Sequence, residues 1–352
     1  MSDLRNFLIN SGMGIGDIVQ KLPMARALKE AYPNANIDFI TASSKSVWKV
    51  NRAILECQHY VRNLYWYDFR EKFHDLMLLL KLRMNNYDYA FVRDVDFARV
   101  NANPSRWIFR IMRLGGCRKL IGFVKDYVDV YVDMPDTTHY LERDRLTLKA
   151  IGIDREFNMH TIDASLTDQS ITASLNTSRK IISISAGTNI YAWTENGKTT
   201  KYDVKSWSYD KWMKLSEQLI EHGYSVVLLG GPKEAGELQE QCVRIPESEH
   251  IMNFIGKTTL KQSLALLSVS SLVVGAEGGM MHCAAGLGVR TLTIMGGSDY
   301  RLWTPAGGET VNLNLECSPC FATKRAAECK YHKCLEGISP EMVLERILSM
   351  KI

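Results

Sequence analysis

Two glycine-rich segments and one cysteine cluster carry the residue types that do chemistry. Residues 11–23, SGMGIGDIVQKLP, follow the apolar run NFLIN and place glycines at 12, 14 and 16 ahead of Asp17. A dinucleotide-binding G-x-G-x-x-G that begins at Gly12 needs its third glycine at position 17, where this chain has an acid. A carboxylate in the first turn of a helix is stabilised there but repels an incoming pyrophosphate. Asp17 therefore reads as a helix cap or as a base, not as part of a phosphate cradle.

The second segment, VVGAEGGMMHCAAGLGV, ends a buried run at Gly275 and opens a helix after Gly278 and Gly279. That geometry presents backbone amides to an anion, so the diphosphate site is expected at Gly278, Gly279 and Met280. Glu277 reads as a partner for a ribose or sugar hydroxyl, or as a solvated loop carboxylate. His282, one turn into the helix, reads as a phosphate donor or as a packing residue.

The third feature is CSPCFATKRAAECKYHKC, a C-x2-C-x8-C-x4-C pattern formed by Cys317, Cys320, Cys329 and Cys334. The spacing suits tetrahedral thiolate coordination of Fe or Zn, with His332 able to replace one thiolate. A closed four-ligand site leaves no position for a substrate, so the expected role is structural. The alternative is four free thiols in a loop. Lys324, Arg325, Lys330 and Lys333 make this knuckle basic, either toward an acceptor phosphate or simply toward water. The scattered Cys57, Cys117, Cys242 and Cys283 read as small buried thiols.

The elements that must position these groups follow from periodicity. NFLIN, then an apolar series at Ile18, Leu22, Ala25 and Leu28, then NIDFITAS, form a βαβ unit, and the alternation repeats through YDYAFV and KLIGFV. A second alternation runs from KIISISAG through YSVVLLGG, SLVVGAEGG and RTLTIMGG, whose continuous apolar runs suit buried parallel strands. Between them, residues 154–178 lose apolar density and gain Ser, Thr and Asp. Asn196-Gly197 between β-prone residues predicts a hairpin over 189–204, and Ser339-Pro340 opens a terminal helix. At 352 residues the chain exceeds one ordinary core, which also argues two domains. A net charge of +4 is too weak to argue for nucleic acid by itself. No apolar run approaches the ~20 residues that span a bilayer, and no signal peptide is read at the N-terminus, so the cytoplasm is the expected compartment.

With these pieces in order, MGIGDIVQKLP resembles the G-D-x-x-x-x-x-P segment of the ADP-heptose heptosyltransferase family of glycosyltransferases, and AEGGMMHCAAGLGV its D-[ST]-G-x-x-H-x-A-x-x-L-G segment. KSWSYDKWMKLSEQL resembles the family's K-x-W-x-x-x-x-W, and GGPKEAGE its G-G-P-x-E turn. Glu277 and Gly278 depart from the family's Asp and Ser or Thr, and Val19-Gln20-Lys21 stand where a His is often found.

The resemblance implies an α/β GT-B fold of two Rossmann-like doubly wound domains facing a central cleft. The expected divisions are an acceptor-side domain over 1–165, a linker over 166–180, a donor-binding domain over 181–338 and a C-terminal helix over 339–352 that packs back on the first domain. It implies an inverting transfer of heptose or a similar sugar from an ADP-sugar, with Asp17 as general base and Lys205 stabilising the departing diphosphate. Ser185, Thr188, Lys205, Glu234, Glu277, Gly278, Gly279, Met280 and His282 are its donor-binding residues. No metal is needed for transfer. The acceptor is lipopolysaccharide core or, by similarity of the knuckle to the iron-holding knuckles of bacterial autotransporter heptosyltransferases, a protein hydroxyl. Peripheral inner-membrane association and a homo-oligomer belong to the same reading. Two rival readings are a non-catalytic metal-knuckle protein that binds nucleic acid, and an epimerase that consumes a UDP-sugar without an acceptor.

Overall fold

A computed structural model describes residues 5–68, 70–92, 106–135, 138–175, 178–188, 191–195 and 198–352. The chain divides into two compact units, Met1–Asp163 and Ala164–Ile352.

In the first unit β1 (Asn6–Asn10), β2 (Asn36–Ala42), β3 (Asn63–Tyr67), β4 (Tyr89–Val92), β5 (Lys119–Gly122) and β6 (Val130–Tyr131) form one sheet. Its order is β3-β2-β1-β4-β5-β6 with every pair parallel. The connections include helices α1 (Ile15–Ala31), α2 (Lys45–Arg52), α3 (Lys72–Asn85) and α4 (Arg106–Leu114), and α5 (Tyr140–Lys149) follows β6. Phe7, Leu8 and Ile9 of β1 are fully buried, as a central strand covered on both faces requires.

The second unit repeats the plan. Strands β7 (Ile181–Ser185), β10 (Ser225–Leu229), β11 (Ile251–Asn253), β12 (Leu272–Ala276), β13 (Thr291–Ile294) and β14 (Glu309–Val311) order as β11-β10-β7-β12-β13-β14, again all parallel. An antiparallel ribbon, β8 (Tyr191–Glu195) with β9 (Lys198–Tyr202), fills the expected hairpin, whose Asn196-Gly197 turn lies outside the described residues. The helices are α6 (Tyr209–Glu221), α7 (Pro232–Glu240), α8 (Leu260–Ser268), α9 (Gly279–Gly286), α10 (Tyr300–Trp303), α11 (Lys324–Glu328), α12 (Lys333–Glu336) and α13 (Pro340–Ser349).

Each sheet therefore has the 3-2-1-4-5-6 order of a dinucleotide-binding fold, and its strand order reverses between the first and fourth strands. Ligands of such sheets bind beyond the carboxyl ends of the strands at that reversal.

Two features differ from the sequence expectation. The segment expected as a linker holds two 3-10 turns, Ala164–Leu166 and Gln169–Ser174, and belongs to the second unit, where the Asp168 amide donates to the Lys261 carbonyl at 3.3 Å. Its polar side chains cap and bridge these turns, Asp168 accepting from Ser170, so polarity here marks turn chemistry. The terminal helix, expected on the first domain, lies in the core of the second. Val343, Leu344 and Ile347 of α13 bury among α6 residues such as Trp212 and Leu215, because their spacing gives α13 one apolar face and the nearest matching face is on α6.

Candidate active site

Among the described residues three strand-to-helix turns carry glycines at their N-caps, and they differ in what satisfies the helix amides. At α1 the N-cap is Gly14, and the Asp17 carboxylate turns back to accept from the Gly14 amide at 2.8 Å and the Met13 amide at 3.2 Å. Gly12, with φ of +82°, supplies the left-handed step that lets the chain turn out of β1. At α7 the N-cap is Gly231, and Glu234 closes it in the same way at 2.6 Å. At α9 the N-cap is Gly278, and no side chain caps it. The first two helix ends are thus filled by their own third-position acids. The third has no acid of its own to close it.

The surroundings of the α9 terminus are charged and buried. Lys205 follows β9 with only 5% of its surface exposed, and its Nζ lies 2.5 Å from Oε2 of Glu277. The same Glu277 oxygen accepts from Ser298 Oγ at 2.5 Å, and Lys205 Nζ donates to the Tyr191 hydroxyl at 3.1 Å. The ammonium also lies 4.1 Å from the centre of the Phe321 ring and 4.8 Å from that of Tyr191, a cation between two aromatic faces. Burial alone opposes ionisation of both partners. Their attraction outweighs it, holding Lys205 above the ordinary lysine pKa and Glu277 below the ordinary glutamate value, the latter aided by Ser298 and His282.

Other expected donor residues gather at the same strand ends. Ser185 closes β7, and Gly187 just beyond it lies so near Glu234 that an added Cβ would come within 2.6 Å of its carboxylate. A Cβ at Gly278 would lie 3.4 Å from the Gly187 carbonyl, so the β7 and β12 turns run side by side. Thr188 Oγ1 pairs with Ser206 Oγ and lies 3.3 Å from Asp203, and its carbonyl accepts from Lys233 at 2.5 Å. Asp203 in turn accepts from the amides of Lys205 and Ser206, fixing the turn from which Lys205 projects. Gly279 and Met280 begin α9, and His282 is buried one turn along it. Asp17 belongs to the first unit. One turn below it on α1, Lys21 is buried against Asp144 of α5.

The four knuckle thiols are all free, Cys320 and Cys334 buried, Cys317 and Cys329 exposed. Burial first, then the charges of Cys320, Cys317 and Cys329, push the Cys334 thiol up to about 11. Among the described residues no three His, Cys, Asp or Glu side chains are gathered as a metal site. As a donor set four thiols fit a soft metal, while among the described residues their placement is not that of a formed site. The knuckle is tied to the loop after β13: Cys320 and Phe321 amides each donate to the Gly297 carbonyl at 2.8 Å, and Ser318 Oγ to the Gly296 carbonyl at 2.5 Å. Cys242, expected buried, is exposed in a turn after α7 with φ of +52°, a left-handed position that points away from the core.

Sequence reasoning missed Tyr191, Phe321, Ser298 and Asp203. Ser298 had a signal, since it follows a glycine pair at the end of a buried strand; Phe321 sits inside the cysteine pattern, where attention goes to the thiols.

Two doubly wound parallel sheets in one chain, the second with an open helix terminus beside a buried cation at its strand reversal, define an α/β protein of the GT-B class. The chain belongs to glycosyltransferase family 9 (heptosyltransferase), whose model matches residues 127–331. It is 31% identical over 147 residues to lipooligosaccharide heptosyltransferase 2 of Haemophilus influenzae, a match covering 41% of this chain and 42% of that protein. The chain thus spans less than half the length of that relative. The structure of E. coli ADP-heptose lps heptosyltransferase II superposes with a TM-score of 0.69 over 98% of both chains at 20% identity. The iron-containing dodecameric glycosyltransferase TibC from enterotoxigenic E. coli H10407 matches with a TM-score of 0.50 and 12% identity, over 100% of this chain and 77% of that one. Both establish the fold. Among the described residues no helix is long and apolar enough to cross a membrane.

Proposed function

We propose that this chain transfers heptose from an ADP-activated donor to lipopolysaccharide core, by single displacement with inversion, in the cytoplasm. The observation that carries the reading is the uncapped terminus of α9 beside the buried Lys205. The donor diphosphate lies against the amides at Gly278, Gly279 and Met280, with Lys205 drawn between the phosphate and Glu277. Ser185, Thr188 and His282 line the donor side, and Glu277 reaches a sugar hydroxyl. Glu234 acts through the Gly187 turn, against which it packs. Asp17 takes the acceptor hydroxyl proton as that oxygen attacks C1. The bond from C1 to the diphosphate breaks, and the charge left on the phosphate falls on amides and an ammonium already in place, so no catalytic metal is required. Family membership leaves the nucleic-acid and epimerase readings without an observation in their favour.

The knuckle belongs to the same reading as a structural element. Cys317, Cys320, Cys329 and Cys334 hold iron or zinc, which supplies a fixed cross-link and no reactive position. Through the Gly297 carbonyl and Phe321 the knuckle braces the loop carrying Ser298 and the face of Lys205. A protein acceptor is the second reading, supported by this knuckle and by the iron-containing heptosyltransferase among its structural neighbours. A homo-oligomer accords with the dodecameric neighbour.

Thermal unfolding against ADP, UDP, GDP and NAD at equal concentration tests the donor. A ligand at ~100 times its Kd adds roughly 2.7 kcal/mol, so a selective ADP shift is expected. A UDP or GDP preference would replace the sugar nucleotide, and no shift at all would end the proposal. Metal analysis of the purified chain is expected to return about one iron or zinc per chain, and chelation to lower both Tm and ADP affinity.

A further inference from the structure

The antiparallel ribbon β8–β9 interrupts the path from β7 to α6, outside the segments that resemble the heptosyltransferase family. Its two faces differ. Tyr191 and Trp193 alternate with the exposed Ala192 and Thr194, and Tyr191 stands opposite Tyr202 in the register, so one face of the ribbon is aromatic. That face lies on the cysteine knuckle, where Tyr191, Trp193 and Phe321 pack against the buried Tyr202, Val204 and Cys320. At the other end of β8, Lys324 of α11 pairs with Glu195 at 2.9 Å. The ribbon is thus held at both ends of β8.

What β8 brings to the donor side is Tyr191. Its ring centre lies 4.8 Å from the Lys205 ammonium, and its hydroxyl accepts from that ammonium at 3.1 Å. Phe321 already gives Lys205 a ring face at 4.1 Å and meets Tyr191 edge to face at 4.7 Å. A second ring for packing needs no hydroxyl, so the phenol oxygen has a use of its own. An ammonium carries three N–H donors at fixed tetrahedral angles. Glu277 takes one and Tyr191 a second, which sets the direction of the third. The two partners act differently, because the carboxylate neutralises the cation while the phenol oxygen holds it and leaves its charge. A cation that receives charge from a departing phosphate needs both a fixed direction and that charge.

We propose that Tyr191 is a positioning residue of the donor site, aiming the Lys205 ammonium at the phosphate that carries the sugar. The inference rests on the donor reading of the α9 turn and adds to it a use for the hairpin. In Tyr191→Phe the ring and its packing stay, one N–H of Lys205 loses its acceptor, and the ammonium is left to Glu277 alone.

The test is calorimetric titration of the full chain with ADP and with AMP, the parent beside Tyr191→Phe, with the Tm of both chains measured. Tyr191→Phe is expected to bind ADP roughly tenfold more weakly, the loss of one hydrogen bond to a charged group. AMP lacks the second phosphate, so its affinity is expected to change by less than about twofold, and Tm should stay that of the parent. A residue that serves packing alone would not separate the two nucleotides. Equal ADP affinity in parent and Tyr191→Phe would overturn the proposal, as would equal losses for ADP and AMP, or a loss of ADP binding together with a lower Tm. A parent chain that binds no ADP overturns the donor reading itself and this inference with it, a result seen before any variant is compared.

Discussion

The turns at Gly14 and Gly278 lead from β1 and β12, strands at equivalent reversals of two sheets with the same order, into helices opened by glycine N-caps. They differ in one residue class. Three positions past the first N-cap stands Asp17, which closes the α1 terminus with its own carboxylate; three positions past the second stands Met281, which buries in the core and leaves the α9 terminus open. The same backbone device is therefore closed by its own acid in one unit and left without one in the other. The charge nearby agrees, since Lys205 stands next to the open turn.

The contrast can be broken most severely at the Lys205–Glu277 pair. Glu277→Gln leaves a buried ammonium without its counter-charge and is expected to cost about 3 kcal/mol of stability, read by denaturant unfolding. The pH dependence of that difference follows from the two shifts. The Glu277 pKa is lowered, so its contribution is full above the ordinary value of 4.5 and fades as pH falls through the lower folded value. The Lys205 pKa is raised, so its contribution is full below the ordinary 10.5 and fades only as pH rises through the higher folded value. Parent and variant should thus differ by a constant amount across neutral pH and converge in acid.

Asp17→Asn comes next. The amide oxygen keeps the cap while the basic carboxylate is lost, so transfer is expected to fall by about 10²-fold or more with Tm and the ADP shift nearly unchanged. Full activity in Asp17→Asn would leave Asp17 as a cap only. Gly278→Asp sharpens the comparison from the other side by placing a carboxylate at the N-cap of α9, where α1 has one three positions further on. Gly278 is extended, with φ of −171°, so an aspartate fits there and should stabilise the helix by only about 0.3 kcal/mol. It should also weaken ADP binding by roughly tenfold through repulsion of the phosphate. Unchanged ADP affinity would place the donor elsewhere. The smallest effect is expected at Phe321→Leu, where loss of the ring face over Lys205 should weaken ADP binding about twofold to fivefold, a change of about 0.5–1 kcal/mol measured by titration calorimetry.

Much of this was legible along the chain. The alternation of apolar runs and helical spacing placed two parallel sheets and their order of elements, because period and burial are local properties of sequence. Asp17 at the missing third glycine and the open turn at Gly278 were readable for the same reason: capping is decided within four residues. The tryptophans of the K-x-W-x-x-x-x-W segment turn out to be core, Trp207 and Trp212 meeting edge to face at 4.7 Å.

What the tertiary structure alone decided is which distant groups share a site. Lys205 and Glu277 are 72 residues apart, and Phe321 and Ser298 reach them from other loops. The terminal helix found its place by face matching with α6, which no local pattern names. By itself the sequence determined the elements, the glycine turns and which of those turns carries its own acid, because these depend on neighbours in the chain. Only folding decided that a buried lysine, its carboxylate and two aromatic rings stand beside the one turn that carries none, since their attraction operates through space after the sheet has brought its strand ends together.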